Sequence, residues 1–76
     1  MGWTKLNLDL LKRTRMYKGY QQYEIADGIG LTRQTYNYKE NGKSPFNSDE
    51  LLRIAVFLDL NSKEVNEIFF DNLISK

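Results

Sequence analysis

The chain has 76 residues and a net charge of +1, and a domain of this size buries only about 60% of its unfolded surface. It contains neither Cys nor His. We therefore expect no disulfide, no metal site, no cofactor and no enzyme built on the commonest general base. The longest apolar run, Ile54–Leu58, is far shorter than the roughly 20 residues that span a bilayer, and no signal peptide is evident. The composition therefore predicts a cytoplasmic protein with no membrane partner.

Hydrophobic periodicity and stop signals predict five helices, and no run alternates apolar and polar residues long enough to indicate a strand. The first helix is predicted over residues 8–18, with Asn7 as its N-cap and with Leu11 and Met16 on its apolar side. Gly19 follows a basic last turn, so we expect the helix to end there.

Two short helices are predicted next, over residues 21–28 and 33–40. Gly28 is unexpected near the end of the first of them, because a helical Gly costs about 1 kcal/mol relative to Ala. Gly30 suits a turn that requires a positive φ angle, and Thr32 is a good N-cap for the helix that follows.

Capping boxes mark the starts of the fourth and fifth helices. Asn47 stands three residues before Glu50, and Asn61 stands three residues before Glu64. The residues expected to face the core from these two helices are Leu51, Ile54, Ala55, Leu58, Val65, Ile68 and Phe69. Beyond them Phe70, Leu73 and Ile74 would continue a helix, although a strand or an irregular tail would also fit.

The last two helices carry more apolar residues than one core stripe needs. Leu52, Val56 and Phe57 lie off the stripe of the fourth helix, and the tail adds further apolar residues. Such a surplus in a small domain indicates an interface. We expect a symmetric homodimer built from the fifth helix and residues 71–76, with closure of the monomer core as the alternative.

Charge is distributed unevenly along the chain. Residues 1–46 carry eight cations and four anions, whereas residues 47–76 carry three cations and six anions. A basic half of this kind could face phosphate groups, although a chain this short can show such an imbalance by chance.

The most informative segment is 22–36, where two short helices flank a tight turn that contains Gly. This is the sequence pattern of a helix-turn-helix. Ala26 is small where the helices must pack closely, and Ile25, Ile29 and Leu31 are expected to bury the corner. Residues 34, 37, 38 and 41 share one face of the third helix, with residue 33 beside them. Gln and Asn can pair with adenine and Arg with guanine, so this face suits the major groove.

Characteristic residues recur in order along most of the chain, and they are Leu11, Lys12, Arg13, Arg15, Gly19, Gln22, Glu24, Ile25, Ala26, 30–35, 40–43, Ile54, Ala55 and Leu58. A second set consists of residues 36–46 and 68–70. On the first set the chain resembles, over residues 8–70, the phage repressor/Cro family, also called the XRE family. On the second set it resembles the phage-type members of that family from Gram-positive bacteria. The resemblance implies an all-α, compact, five-helix, lambda-repressor-like DNA-binding domain. It would be one domain over residues 1–76, with a tail at 71–76, and would bind double-stranded operator DNA as a homodimer.

The resemblance also implies roles for particular residues. The expected DNA contacts are Gln22, Thr32, Arg33, Gln34, Thr35, Asn37, Tyr38, Asn41 and Lys43. Asn41, Gly42 and Lys43 would hold phosphate through backbone N–H groups and the lysine ammonium. Arg15 and Glu40 would form an internal ion pair. The alternative for the exposed residues is an ordinary solvated helix surface, and the five Tyr residues belong by default to the core or its edge.

Two positions depart from the pattern of the family. Gln21 stands where Ser or Thr usually caps the second helix, and Lys39 stands where an apolar residue is common. We expect the stem of Lys39 to lie along the surface, while Tyr36 and Phe46 fill the core in its place.

Other classes of function remain as alternatives. Scattered carboxylates alone give no paired acid and base for an enzyme. A protein-binding module, such as an antitoxin or antirepressor, is the serious rival, because the apolar C-terminal surplus would serve it equally well. A regulatory protein partner is also compatible with this reading, whereas RNA binding lacks an aromatic platform.

Overall fold

The computed structural model describes residues 6–70, and the tail predictions at Leu73 and Ile74 lie outside them. Five α-helices follow one another: α1 (Leu8–Tyr17), α2 (Gln22–Gly28), α3 (Arg33–Glu40), α4 (Ser48–Phe57) and α5 (Ser62–Phe69). Residues 6–70 contain no strand, so the all-α prediction is confirmed. The predicted helix boundaries are shifted only slightly, since Lys18 and Gln21 cap α1 and α2 rather than belonging to them. Within this part of the chain no helix has the length and apolar character to cross a membrane.

Side-chain caps begin four of the five helices. The predicted N-caps accept backbone N–H groups of the first turn, and they are Asn7, Thr32, Asn47 and Asn61. The start of α2 is built differently. The Gln21 side chain makes no capping hydrogen bond, and the Glu24 carboxylate instead accepts the Gln21 backbone N–H at 2.7 Å. The weaker cap predicted there is therefore partly replaced from inside the helix.

Four helices end in the same left-handed turn. The residues with positive φ are Gly19, Gly30, Gly42 and Asp59. At each end this residue and the next donate N–H groups back to carbonyls of the last helical turn. This is the Schellman arrangement, which satisfies carbonyls that a helix end would otherwise leave unpaired. Each helix can therefore stop abruptly and turn into a short connection.

The core lies where the five helices meet. Its buried side chains are Leu11, Ile25, Ala26, Ile29, Tyr36, Ile54, Leu58, Ile68 and Phe69. Helix α2 packs against α3 and α4, while α1 packs against α5 and α3. The backbone N–H of Asn7 donates to the carbonyl of Ile68 at 2.7 Å, which ties the start of α1 to α5.

Several aromatic and apolar side chains expected at the core lie on the surface instead. Met16 is exposed, Tyr17 is 90% exposed, and Tyr23 is also exposed. The reason is helical register. Arg15 occupies the core-facing position of α1, and each further residue turns by about 100° around the axis. Met16 and Tyr17 are therefore rotated away from the core.

Gly28 is explained by its contact with α4. A Cβ atom at this position would collide with the ring of Phe57. The Phe57 ring also packs against Tyr20, with ring centroids 4.7 Å apart. Phe57 is thus half-buried, and the prediction that it belongs to the apolar surplus is wrong. Leu52 and Val56 of the same helix do remain exposed.

Candidate nucleic-acid interface

The turn between α2 and α3 is closed by backbone hydrogen bonds. Gly30, at φ 82°, donates its N–H to the carbonyl of Asp27 at 3.2 Å, and Leu31 donates to Ala26 at 2.8 Å. Only glycine adopts this φ without strain, and a Cβ at Gly30 would also press on the Arg53 guanidinium at 3.2 Å. The turn therefore sets the angle at which α3 leaves α2.

A buried ion pair holds α3 from its inner side. The Arg15 guanidinium donates twice to the Glu40 carboxylate, from Nε to Oε2 at 2.9 Å and from Nη2 to Oε1 at 3.1 Å. Its Nη1 donates to the carbonyl of Tyr20 at 2.8 Å. The pair that the resemblance implies thus lies in contact, with almost no side-chain exposure at either partner.

Two further groups complete the contacts of Glu40. The Tyr36 hydroxyl donates to Oε2 at 2.7 Å, and Gln22 Nε2 donates to Oε1 at 2.9 Å. Across residues 6–70 no buried side-chain N or O atom lacks a partner. One carboxylate therefore joins α1, α2 and α3, and a buried polar network that is fully paired holds its members rigidly.

The ionisation of this network follows from its contacts. Burial raises the pKa of the Glu40 carboxyl, but the hydrogen bonds from Arg15, Gln22 and Tyr36 together lower it by a larger amount. The net pKa is therefore below its ordinary value. Burial lowers the pKa of Arg15, and Glu40 more than restores it. Burial, together with the bond to Glu40, raises the pKa of the Tyr36 hydroxyl. Arg15 and Glu40 therefore stay charged at neutral pH.

A second ion pair, not anticipated from the sequence, joins α3 to the start of α4. Lys39 Nζ lies 2.6 Å from Glu50 Oε1, and both side chains are nearly buried. The same oxygen accepts the backbone N–H of Asn47 at 3.0 Å. Burial raises the pKa of Glu50, but the bonds from Lys39 and from the Asn47 backbone lower it by a larger amount. The net pKa is therefore below its ordinary value. The expectation that Lys39 extends along the surface is therefore wrong, because its ammonium has a carboxylate partner.

The outer face of α3 is polar and open to solvent. The predicted contact residues that are exposed are Thr32, Arg33, Gln34, Thr35, Tyr38, Asn41 and Lys43. Gln34 Nε2 donates to the Tyr38 hydroxyl at 3.1 Å, and Lys43 Nζ lies 5.7 Å from the centre of the Tyr38 ring. Tyr38 therefore links a side chain in the first turn of the helix to the cation that follows its end.

Amide side chains form a row beside this face. Asn37 Oδ1 accepts hydrogen bonds from Asn41 Nδ2 at 2.8 Å and from Gln22 Nε2 at 3.3 Å. Gln22 and Asn37 are half-buried, so they lie at the edge of the exposed face rather than in its middle. The structure thus brings the start of α2 next to the middle of α3, where the two helices could contact one ligand.

The turn after α3 differs from the expectation in one respect. The backbone N–H groups of Asn41, Gly42 and Lys43 all donate to carbonyls of α3, at 2.8 to 3.1 Å. They close the helix end and are not directed at a ligand, so the expected phosphate contact through these N–H groups is wrong for this conformation. The groups left for an anion here are the Asn41 amide and the Lys43 ammonium.

A shallow cleft lies beside the starts of α2 and α3. Its lining includes Lys12 of α1, Arg33 of α3, and Gln21 and Gln22. The sequence analysis does not include Lys12 among the expected DNA contacts, although Lys12 stands three residues before Arg15 and therefore close to it on α1. Lys12 and Arg33 place two cations at this end of the exposed face.

Comparison with known proteins assigns the family. The family model described as Helix-turn-helix matches residues 11–65, which is most of the chain. The chain belongs to the XRE-type helix-turn-helix family. This is a family of DNA-binding transcription regulators rather than enzymes. The resemblance inferred from scattered sequence positions is therefore confirmed.

Two relatives of this helix-turn-helix chain agree with that assignment. The SPbeta prophage-derived uncharacterized HTH-type transcriptional regulator YonR of Bacillus subtilis (strain 168) is 36% identical over 52 residues, which cover 68% of this chain. Those residues cover 48% of YonR, so the chain spans about half the length of this relative. The crystal structure of the restriction-modification controller protein C.AhdI from Aeromonas hydrophila matches with a TM-score of 0.69 and 28% identity. That match covers 76% of this chain and 88% of C.AhdI.

Proposed function

We propose that this chain is a transcriptional regulator of the repressor/Cro type, which binds a palindromic operator as a homodimer. In this proposal α3 lies in the major groove of double-stranded DNA. Two copies of α3 would occupy successive grooves, about 34 Å apart. Binding there would block or redirect transcription, with no cofactor. Phosphate contacts would set the register on the duplex, and base contacts would select the sequence.

The observation that carries the proposal is the division of α3 into two sides. Tyr36 and Glu40 are buried and hold the helix against α1 and α2. Arg33 and Gln34 are exposed on the other side, and their groups are those that pair with base edges. A rigid helix with an open face of base-reading groups fits a groove of the duplex.

Selection from randomised duplex DNA, followed by sequencing, tests this proposal. We expect the wild-type chain to enrich a palindromic motif and Gln34→Ala to lose preference at one position in each half-site. A mismatch at such a position costs about 1–3 kcal/mol. Lys63→Ala is a suitable control, because Lys63 is exposed on α5 and pairs with Glu67. Binding by the wild-type chain that is weak and indifferent to sequence would contradict the proposal.

The homodimer part is supported by an apolar groove between α4 and α5. It is lined by Leu51, Leu52, Ala55, Val65, Phe69 and Phe70, and Leu52 is largely exposed. Exposed apolar surface of this kind favours association. We expect sedimentation to show a dimer at micromolar concentrations and Leu52→Lys to shift it to monomer. Arg53→Lys on the same helix is the control and should leave the dimer intact. A wild-type chain that stays monomeric at high concentration would contradict the proposed homodimer.

A protein-binding role, as in an antitoxin or antirepressor, is the second candidate. It is favoured by exposed apolar and aromatic side chains at Met16, Tyr17 and Tyr23, which contribute nothing to the core. Salt dependence separates the two roles. Binding to phosphate weakens steeply as salt rises, whereas an apolar protein contact does not.

A further inference from the structure

The row of amide side chains between α2 and α3 is connected to a charged group. Gln22 Nε2 donates to Glu40 Oε1 at 2.9 Å and to Asn37 Oδ1 at 3.3 Å. Asn41 Nδ2 donates to the same Asn37 oxygen at 2.8 Å. Glu40 is held as a carboxylate, because the Arg15 guanidinium donates to both of its oxygens. The row therefore ends on an anion inside the protein.

That anion determines which way round each amide lies. An ionised carboxylate only accepts hydrogen bonds, so the group of Gln22 that faces Glu40 must be its NH2 group and not its carbonyl. Both hydrogens of this NH2 group are used, one on Glu40 and one on Asn37. The atom of Asn37 that meets Gln22 must then be an acceptor, which is Oδ1. Turning over either amide would place two donors or two acceptors against each other.

This orientation leaves Asn37 with only donors on its outer side. Among residues 6–70, no hydrogen bond uses Asn37 Nδ2, and no buried side-chain N or O atom lacks a partner. The Nδ2 group therefore reaches solvent, at the edge of the exposed face of α3. An Asn that is free to turn offers a carbonyl together with an NH2 group, and this combination pairs with adenine. Asn37 offers two N–H groups and no acceptor.

A side chain with only donors matches guanine better than adenine. In the major groove guanine presents two neighbouring acceptors, N7 and O6, whereas adenine presents N7 beside its N6 amino group. The NH2 group of Asn37 would meet that amino group donor against donor. Gln34 differs, because its partner at 3.1 Å is the Tyr38 hydroxyl, which can donate as well as accept. The Gln34 amide can therefore turn to suit either base.

We propose that the Glu40 carboxylate, acting through Gln22, orients the Asn37 amide as a donor, so that Asn37 selects guanine over adenine in the bound DNA. Gln22 is then a positioning residue. Its outward carbonyl does not bind phosphate, because both groups are acceptors. The inference rests on the proposed function, since it assigns a base to one residue of α3 in the major groove.

The orientation itself can be measured in the free chain, without DNA. Nuclear magnetic resonance should show that the side-chain NH2 protons of Gln22 exchange slowly with water. A coupling through the hydrogen bond should connect Gln22 Nε2 to the carboxyl carbon of Glu40. The NH2 protons of Asn37 should exchange as rapidly as they do in urea. Rapid exchange at Gln22 in the folded chain, or protection at Asn37, would overturn the orientation.

The base preference is tested by selection from randomised duplex DNA. We expect the wild-type motif to contain one position in each half-site where guanine is favoured over adenine by about tenfold. Asn37→Ala should lose the preference at that position alone. Gln22→Met keeps a side chain of similar length without its donors, so Asn37 can turn over and adenine should be accepted there. Gln34→Ala is the control, which should alter a different position and leave the guanine in place.

The outcomes distinguish this inference from the proposed function. An enriched motif in which Asn37→Ala changes no position, or removes a preference for adenine, would overturn the guanine assignment. A uniform loss of affinity in Gln22→Met, with the guanine preference retained, would make Gln22 merely structural and overturn its positioning role. A wild-type chain that enriches no motif would overturn the proposed function and the base preference together. In that case the amide signals of the free chain would still show whether the orientation is correct.

Discussion

The Glu40 carboxylate connects α3 to both α1 and α2. Its carboxylate accepts hydrogen bonds from Arg15, Tyr36 and Gln22, which lie on three different helices. Removing one partner of a buried ion pair leaves the other charge without compensation, which is more costly than the pair itself is stabilising. The loss of Glu40 should therefore weaken the whole domain and not only α3.

We expect Glu40→Gln to lower the free energy of unfolding at pH 7 by about 3–5 kcal/mol, because Arg15 would remain buried without its counter-charge. Urea unfolding followed by circular dichroism measures this. The control is Glu67→Gln, whose partner Lys63 is largely exposed, so its cost should be under about 1 kcal/mol. Equal costs for the two variants would mean that the buried pair contributes no more than a surface pair.

The same residue makes stability depend on pH. The pKa of Glu40 is lower in the folded chain than its ordinary value of 4.5, so the unfolded state binds the proton more readily. Its contribution is complete above pH 4.5 and is lost as the pH falls through the lower folded pKa. Glu50 acts in the same direction and window. Stability of the wild-type chain should therefore fall in acid, and Glu40→Gln should flatten this dependence.

At the scale of helices, α2 and α4 approach closely where Gly28 meets the Phe57 ring. Ala is the better helix former, yet Gly28→Ala should destabilise the domain by about 1–3 kcal/mol, because the added methyl group overlaps the Phe57 ring. Thermal and urea unfolding measure this. In a Phe57→Leu background the cost should shrink, and Asp27→Ala, on the exposed neighbour, should change little. A stabilising Gly28→Ala would show that the ring moves aside freely.

The helices themselves could largely be predicted, because their signals are local. An N-cap such as Asn61 and its partner Glu64 lie three residues apart, so the sequence alone places them at a helix start. The contact of Gly28 with Phe57 could not be predicted in this way. It joins residues 29 positions apart and depends on the angle between two helices.

In the candidate site, too, features that depend on nearby residues could be predicted and contacts between distant residues could not. Periodicity alone predicts which residues of α3 share a face, and Arg33, Gln34 and Tyr38 are indeed exposed. The family resemblance was needed to pair Arg15 with Glu40. Neither source indicated that Lys39 meets Glu50, because that contact requires the path of the connection between α3 and α4.

At the scale of the whole molecule, the uneven distribution of charge bears on how the chain binds a charged partner. The basic half contributes Lys12, Arg33 and Lys43 around the exposed face, whereas the acidic half includes α4 and α5. If this face meets DNA phosphates, affinity should fall linearly with the logarithm of salt concentration.

We expect Lys43→Ala to weaken DNA binding for all sequences alike and to reduce the slope of log affinity against log salt by about one, because one phosphate contact is lost. Fluorescence anisotropy at several salt concentrations measures both effects. Lys63→Ala, which removes an exposed charge from α5, should leave the slope unchanged. A Lys43→Ala variant with an unchanged slope would place this ammonium away from the backbone of the duplex.

The two sides of α3 have a consequence for how such a chain can evolve. Tyr36 and Glu40 keep the helix in place, and neither Arg33 nor Gln34 contacts them through the hydrogen bonds of the network. Substitutions at the outer positions are therefore nearly free of folding cost, since surface changes usually alter stability by less than about 0.5 kcal/mol. Proteins that share this fold can therefore change their binding preference by single substitutions on the outer face of α3, and each successive variant remains folded.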